Sequence, residues 1–368
     1  MTRYSFELAT PADDKAIRRV MAATPMAGSV TVSFQRDPNF FASNVVLGSN
    51  WQAVVCRDAK RNEVVGVATR SVRRIHVDGI PKRIGYLSGL RFMPYARRRG
   101  LLARGYEFVQ RLHDVDPLRP DYYLTTIAEG NHDALEALTK KRASLPNYHF
   151  ITGLNTLVFP IRRIRGVSDR NASVSMLSNR NDLGELIAFL NRFAKQRTFA
   201  PVYEHSDFQA SGTFREMSFG SIAVIRVRGR IVGAAGLWDQ HAFRQTIVRG
   251  YAGAIGSFRP FLNFWSKLTG GIQLPAVGQP LHCCYVAFPM VQCAKHAMML
   301  LNQLIRMAPV SAGCLLIGLC DEDPLLSAMR VQAVGEYRTR LYGVSLNRKE
   351  TFKKIRGHGP CYLELGCL

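Results

Sequence analysis

The sequence predicts an α+β protein built of two similar halves, each a mixed, mostly antiparallel sheet flanked by helices. Three observations carry this expectation. Strand-like apolar runs come first as hairpins, a glycine-bearing turn then leads straight into a helix, and strand, helix and strand follow. The same order of elements recurs after a basic, polar stretch at 161–171. The length of 368 residues suits two domains better than one. The expected division is residues 1–160, a linker at 161–171, and residues 172–368.

In the first half, Tyr4 to Leu8 reads as a strand, and Thr10-Pro11-Ala12-Asp13-Asp14 opens a helix with acids in its first turn. Ile17, Val20 and Met21 then recur at helical spacing. Trp51 to Cys56 and Glu63 to Val72 form a hairpin across 58–62, and a second turn at Asp78-Gly79 leads into a long strand ending near Met93. Leu101 to His113 is a helix stopped at Asp116-Pro117. Tyr122 to Ala128 is a strand, Asn131 caps a helix from His132 to Lys141, and Tyr148 to Phe159 closes the half.

In the second half, Val174 to Leu177 is a short strand and Asn181-Asp182 opens an amphipathic helix through Leu186, Leu190 and Phe193. Ile222 to Val227 and Ile231 to Trp238 form a hairpin over Arg228-Gly229-Arg230. Leu281 to Phe288 is a strand expected to end at Pro289, as its counterpart ends at Pro94. A helix from Ala294 to Met307, a strand from Cys314 to Cys320, a short helix over Pro324 to Arg330 and a strand from Tyr337 to Leu346 complete the copy. An insertion, Ser257 to Pro280, carries an aromatic helix expected to pack against its own domain, the alternative being a lid or a partner surface.

Composition narrows the function classes. A hydrophobic share of 47% and a charged share of 21% are those of a folded, soluble protein, and no apolar run is long enough to span a bilayer. The opening MTRYSFELATPADDK lacks the apolar block of a signal peptide, so a cytoplasmic protein without membrane association is expected. Eight cysteines without a CxxC pair are expected to be reduced thiols rather than a disulfide or zinc frame. The net charge of +22, spread over both halves, suits an acidic substrate, a polyanionic surface or a phosphate-rich coenzyme. Nucleic acid is a less favoured partner, because no zinc-finger spacing or RNP-like motif is recognisable.

The chemistry concentrates in Tyr86 to Gln110, YLSGLRFMPYARRRGLLARGYEFVQ. A strand runs into Pro94, a cationic turn closes on Gly100, and a helix begins at once. Backbone N–H groups at the positive end of a helix dipole, with Arg97, Arg98 and Arg99 beside them, make a site for a pyrophosphate. This segment resembles motif A of the GCN5-related N-acetyltransferases, in which Arg/Gln-x-x-Gly-x-Gly/Ala follows a strand and holds the coenzyme A pyrophosphate. Arg97 and Gly100 match; Leu102 stands where the family usually has Gly or Ala. The turn is also very similar to that of the enhanced-intracellular-survival acetyltransferases. The resemblance covers about residues 3–160 and implies acetyl-CoA as cosubstrate, held by Arg97, Arg98, Arg99, Gly100, Leu101, Leu102 and Ala103.

The same resemblance implies that an oxyanion-stabilising backbone N–H lies among Leu90, Arg91 and Phe92, and that Asn131 helps bind the coenzyme arm. Many members carry a catalytic Tyr seven residues after that Asn; here the position is Leu138. No Glu occupies the signature strand, so Glu129, His132 and Tyr86 are the candidates for acid–base chemistry. Trp238 to His241 and Tyr203 to His205 are candidate substrate contacts. No metal site stands out. After Pro289 the second copy has neither glycine nor arginine at the required spacing, so it is expected not to hold coenzyme. The function expected is N-acetyl transfer from acetyl-CoA directly to a small-molecule or peptide amine. The alternatives are a non-catalytic acyl-CoA-binding module and an acetyltransferase acting on a nucleic acid. Acceptor and oligomeric state stay open.

Overall fold

The computed structural model describes residues 3–97, 99–140, 142, 144–161, 168–178, 182–269, 271–346 and 359–368. Most of the expected linker, and Arg98, lie outside the described residues.

The first half begins with β1 (Tyr4–Leu8), α1 (Asp14–Ala22), β2 (Val30–Gln35), α2 (Phe40–Ser43), β3 (Asn50–Asp58), β4 (Glu63–Val77) and β5 (Ile80–Phe92). The Asp13 carboxylate accepts from the Thr10 backbone N–H at 2.9 Å and settles the chain ahead of α1, which buries Ile17, Val20 and Met21. The β4–β5 turn uses Asp78 and Gly79, both with positive φ, as a tight hairpin requires. Next come α3 (Leu101–Asp114), β6 (Tyr123–Ala128), α4 (His132–Thr139) and β7 (Asn147–Pro160).

The second half has β8 (Ser173–Met176), α5 (Asp182–Ala194), β9 (Ile222–Val227), β10 (Arg230–Trp238), β11 (Gln245–Tyr251), α6 (Ile255–Thr269), β12 (Cys283–Val291), α7 (Ala294–Met307), β13 (Cys314–Cys320), α8 (Leu326–Arg330) and β14 (Gly335–Ser345). The two halves share one 12-stranded sheet, ordered β1-β3-β4-β5-β6-β14-β7-β13-β12-β10-β9-β8. Each half lends its last strand to the other: β14 sits against β6, and β7 sits against β13. The long β7–β14 ladder, from Asn147↔Ser345 to Val158↔Gly335, locks them together. β2 and β11 form a separate two-stranded ribbon that also joins the halves.

Three sequence expectations are corrected here. Cys283 and Cys314 are joined in a disulfide, because parallel β12 and β13 set them directly opposite with Cα atoms 4.8 Å apart. That bond weakens the cysteine-based argument for a reducing compartment. β12 does not stop at Pro289 but runs on to Val291. The aromatic helix of the insertion, α6, buries none of its residues. Among the described residues no helix is long and apolar enough to cross a membrane.

Candidate functional site

The site grows out of a splay between two parallel strands. β5 pairs with β6 only at Gly85 and Tyr86, after which the strands diverge. Gly85 is required by close approach: a Cβ there would fall 2.1 Å from the Tyr123 ring. Three residues further on, the β4–β5 register slips, so that Gly89 and Leu90 together face Ala68. This is a β-bulge, with Gly89 at φ +65. The Met93 N–H bonds back to Val65 on β4 at 2.8 Å. Strand alternation therefore turns the N–H group of Phe92 away from β4 and into the gap, with Leu90 in the bulge beside it.

The turn closes the end of the gap. Arg97 Nε donates to the Phe92 carbonyl at 3.3 Å and Arg99 Nε to the Tyr95 carbonyl at 3.1 Å, while both side chains stay exposed. Gly100 precedes α3 at φ 69, a left-handed conformation that favours glycine. The first N–H groups of α3, on Leu101, Leu102 and Ala103, precede the helix's internal hydrogen bonds and face outward along its axis. Leu101 anchors the turn in a cluster with Tyr4, Cys56, Val65 and Ala96.

Beneath splay and turn lies a cavity of about 420 Å³. Of the expected site residues, Tyr86, Leu90, Arg91, Phe92, Leu101, Leu102 and Asn131 line it, and so does Leu138. Asn131 caps α4, its Oδ1 accepting from the Ala134 N–H at 3.1 Å. Tyr86 hydrogen-bonds Thr126 Oγ1 at 2.7 Å, and burial pushes its phenol up to about 12. Glu129 instead forms an ion pair with Arg340 at 3.0 Å and faces Arg338, both from β14. His132 is exposed at the start of α4. Neither of these two lies on the cavity wall as described.

Sequence reading missed two sets of wall residues. Tyr106 on α3 and Tyr148 on β7 share a short hydrogen bond between their hydroxyls, and burial raises both phenols, that of Tyr106 to about 12. Arg36 and Arg244 are the second set, and with the expected Arg91 they make three arginines on the wall besides Arg70, which pairs with Asp116. No aspartate or glutamate lines the cavity among the described residues. Among the described residues Arg36 donates to the Gln35 oxygen, Arg91 to that of Leu90, and Arg244 to those of Gly366 and of Leu368, the last residue. Burial, then the charges of Arg244 and Arg91, pull the Arg36 guanidinium well below its ordinary value. The buried Arg244 Nε has no hydrogen-bond partner among the described residues.

The second copy repeats the geometry but not the site. β12 pairs with β13 only from Cys283 to Tyr285, and the β10–β12 register slips so that Phe288 and Pro289 face Ala235. Pro289 thus takes the place of Leu90 and supplies no N–H. The Phe288 N–H is already taken by the Glu364 carboxylate at 3.0 Å. The matching void under α7 shrinks to about 20 Å³ between Val286, Pro289, Leu300, Leu304 and Ile317.

The remaining candidates lie elsewhere. Tyr203 is fully buried against Phe214, Glu204 pairs with Arg74, and His205 opens a short 3-10 turn. Asp239 hydrogen-bonds His282 at 2.9 Å, the His241 ring stacks on that of His282, and Asp239, His282 and Cys284 bring donor atoms within 4.8 Å of one another.

No protein-family model matches the chain, and no curated protein matches it by sequence. Solved structures do. Saccharomyces cerevisiae N-myristoyltransferase with bound myristoyl-CoA is similar over 99% of this chain and 90% of that one, with TM-score 0.61 and 10% identity. A second structure of the yeast N-myristoyltransferase, again with myristoyl-CoA, gives TM-score 0.59 and 9% identity over 99% and 86%. A GCN5-related glucosamine N-acetyltransferase region in a fungal multi-domain beta-N-acetylglucosaminidase gives TM-score 0.55 and 13% identity, covering 93% of this chain and 38% of that one. The fold is that of the GCN5-related N-acetyltransferases, and its tandem arrangement fits the myristoyltransferase match.

Proposed function

We propose that the chain is an N-acyltransferase that takes its acyl group from acyl-CoA in the first-half cavity and passes it directly to an amine. The observation that carries this is the contrast between the two copies. One splay keeps its bulge N–H groups, its glycine turn and about 420 Å³ of space; the other has a proline at the bulge, a spent N–H and about 20 Å³. In this reading Arg97 to Ala103 and Asn131 hold the coenzyme, and the Leu90 or Phe92 N–H stabilises the thioester oxyanion.

The amine nitrogen attacks the thioester carbonyl, the C–S bond breaks, and the coenzyme thiolate takes a proton. Among the described residues the wall offers no Asp or Glu side chain as a base. It does supply low dielectric and the guanidinium charges of Arg36, Arg91 and Arg244, which depress the pKa of an ammonium group and favour its neutral, nucleophilic form. The phenols of Tyr86 and of the Tyr106–Tyr148 pair stay protonated at neutral pH and can act as donors to the thiolate, a role Leu138 cannot fill. Arg36 and Arg244, with no Asp or Glu side chain on the described wall beside them, suit an acceptor that carries an anionic group as well as its amine.

Acetyl-CoA is the simplest donor. The apolar part of the wall, with Phe6, Met21, Met26, Phe34, Phe40 and Val54, favours a second reading in which a longer acyl chain is carried. Release of coenzyme thiol should be followed with acetyl-CoA and longer acyl-CoA donors against amino acids and neutral amines. Amine-dependent release with one donor class supports the proposal and selects the chain length. Absence of release with every pair, despite coenzyme binding, would favour a non-catalytic binding module.

A further inference from the structure

α6 is turned inside out. At helical spacing Phe258, Phe261, Leu262, Phe264, Trp265 and Leu268 share one face, and all are exposed, Trp265 at 59% and Leu268 at 67%. The opposite, polar face is the one tied to the protein. Asn263 donates to the Leu274 carbonyl at 2.9 Å and accepts from its N–H at 2.7 Å, and Arg259 donates to the same carbonyl at 3.3 Å. These bonds fix the rotation of the helix, so its aromatic face cannot roll inward without breaking them.

Charge identifies the partner. No Asp or Glu occurs between Asp239 and Asp321, a stretch that contains the whole helix and carries Arg249, Arg259 and Lys267 in or beside it. On a chain of net charge +22, a second copy docking face to face would bring two basic surfaces together, whereas an anionic surface would be attracted. Arg259 and Lys267 lie within one helix diameter of the apolar face, about 10 Å, which is close to a Debye length in physiological salt. Aromatic and leucine side chains on one face with basic residues near them are what an interfacial helix requires.

We propose that α6 docks the protein on an anionic lipid surface, with its aromatic face at the headgroup–acyl boundary. Docking would set the ribbon of β2 and β11 beside the lipid. That ribbon leads to the cavity, because Phe34 of β2, Arg36 just after β2 and Arg244 just before β11 line it. The inference stands on the helix alone and does not depend on the proposed reaction.

The full chain should be mixed with vesicles of phosphatidylcholine plus phosphatidylglycerol and with pure phosphatidylcholine vesicles, then pelleted and followed by tryptophan fluorescence. The proposal expects binding that prefers the anionic vesicles, weakens with salt, blue-shifts Trp265 emission, and falls at least about tenfold in Phe261→Ser/Trp265→Ser. Thermal melting of that variant should match wild type. Vesicle binding unchanged in the variant would overturn the proposal. So would a wild-type dimer in solution, with no vesicle binding, that the variant converts to monomer.

Discussion

Glu364 offers a quantitative handle on how the second copy was closed. Its carboxylate is 4% exposed, and its Oε2 accepts from the Tyr362 hydroxyl at 2.7 Å and from the Phe288 N–H at 3.0 Å. Burial outweighs these bonds and raises its pKa from 4.5 to about 7. The folded state therefore binds this proton more tightly than the unfolded chain. The sign follows: the contribution is fully present below pH 4.5 and is lost as pH rises through 7. A shift of this size is worth on the order of 3 kcal/mol in all, of which roughly 2–3 kcal/mol falls between pH 5 and pH 8. Glu364→Gln keeps the shape and removes the titration. Wild type and variant should be melted in parallel across that range. Wild type should lose stability relative to the variant as pH rises, and the two should converge or cross near the alkaline end. A stability difference that stays constant from pH 5 to pH 8 would refute the reasoning.

Two further outcomes follow from the site itself. Arg36→Gln and Arg244→Gln should lower kcat/KM for an amine that also carries a carboxylate by about 10- to 100-fold, the worth of one charge-assisted hydrogen bond, and leave neutral amines nearly unchanged. Equal losses on both acceptor classes would remove these arginines from acceptor binding. Gly100→Val has open space for its side chain but must hold φ 69, at a cost of about 1–2 kcal/mol, so coenzyme affinity should fall about tenfold while the global melt barely moves. An unaltered affinity would mean the turn does not carry the phosphates.

What the sequence made legible was local. A glycine before a helix, an Asn at a helix start and an Asp-Gly turn each act within a few residues, and Gly100, Asn131 and the Asp78–Gly79 hairpin sit where their chemistry put them. The misses are contacts made over long stretches of chain. Glu129 looks free at a strand end until β14 brings Arg340 beside it. Cys283 and Cys314 look like unrelated thiols until two parallel strands align them. Arg36 and Arg244 share a wall only because the β2–β11 ribbon, with Gln35 opposite Gln245, joins the halves. Pro289 resembles Pro94 in sequence, yet the strand register equates it with Leu90. The exchange of β7 and β14 leaves no periodic signal at all, since either strand would satisfy the same pattern in either half.

The central claim is that this duplicated fold keeps one working coenzyme site, in its first half. Isothermal titration of the intact chain with acetyl-CoA and with a longer acyl-CoA tests it most directly. The account predicts saturable binding of one coenzyme per chain, weakened by Gly100→Val. Two molecules bound per chain, or no binding of either thioester, would contradict it.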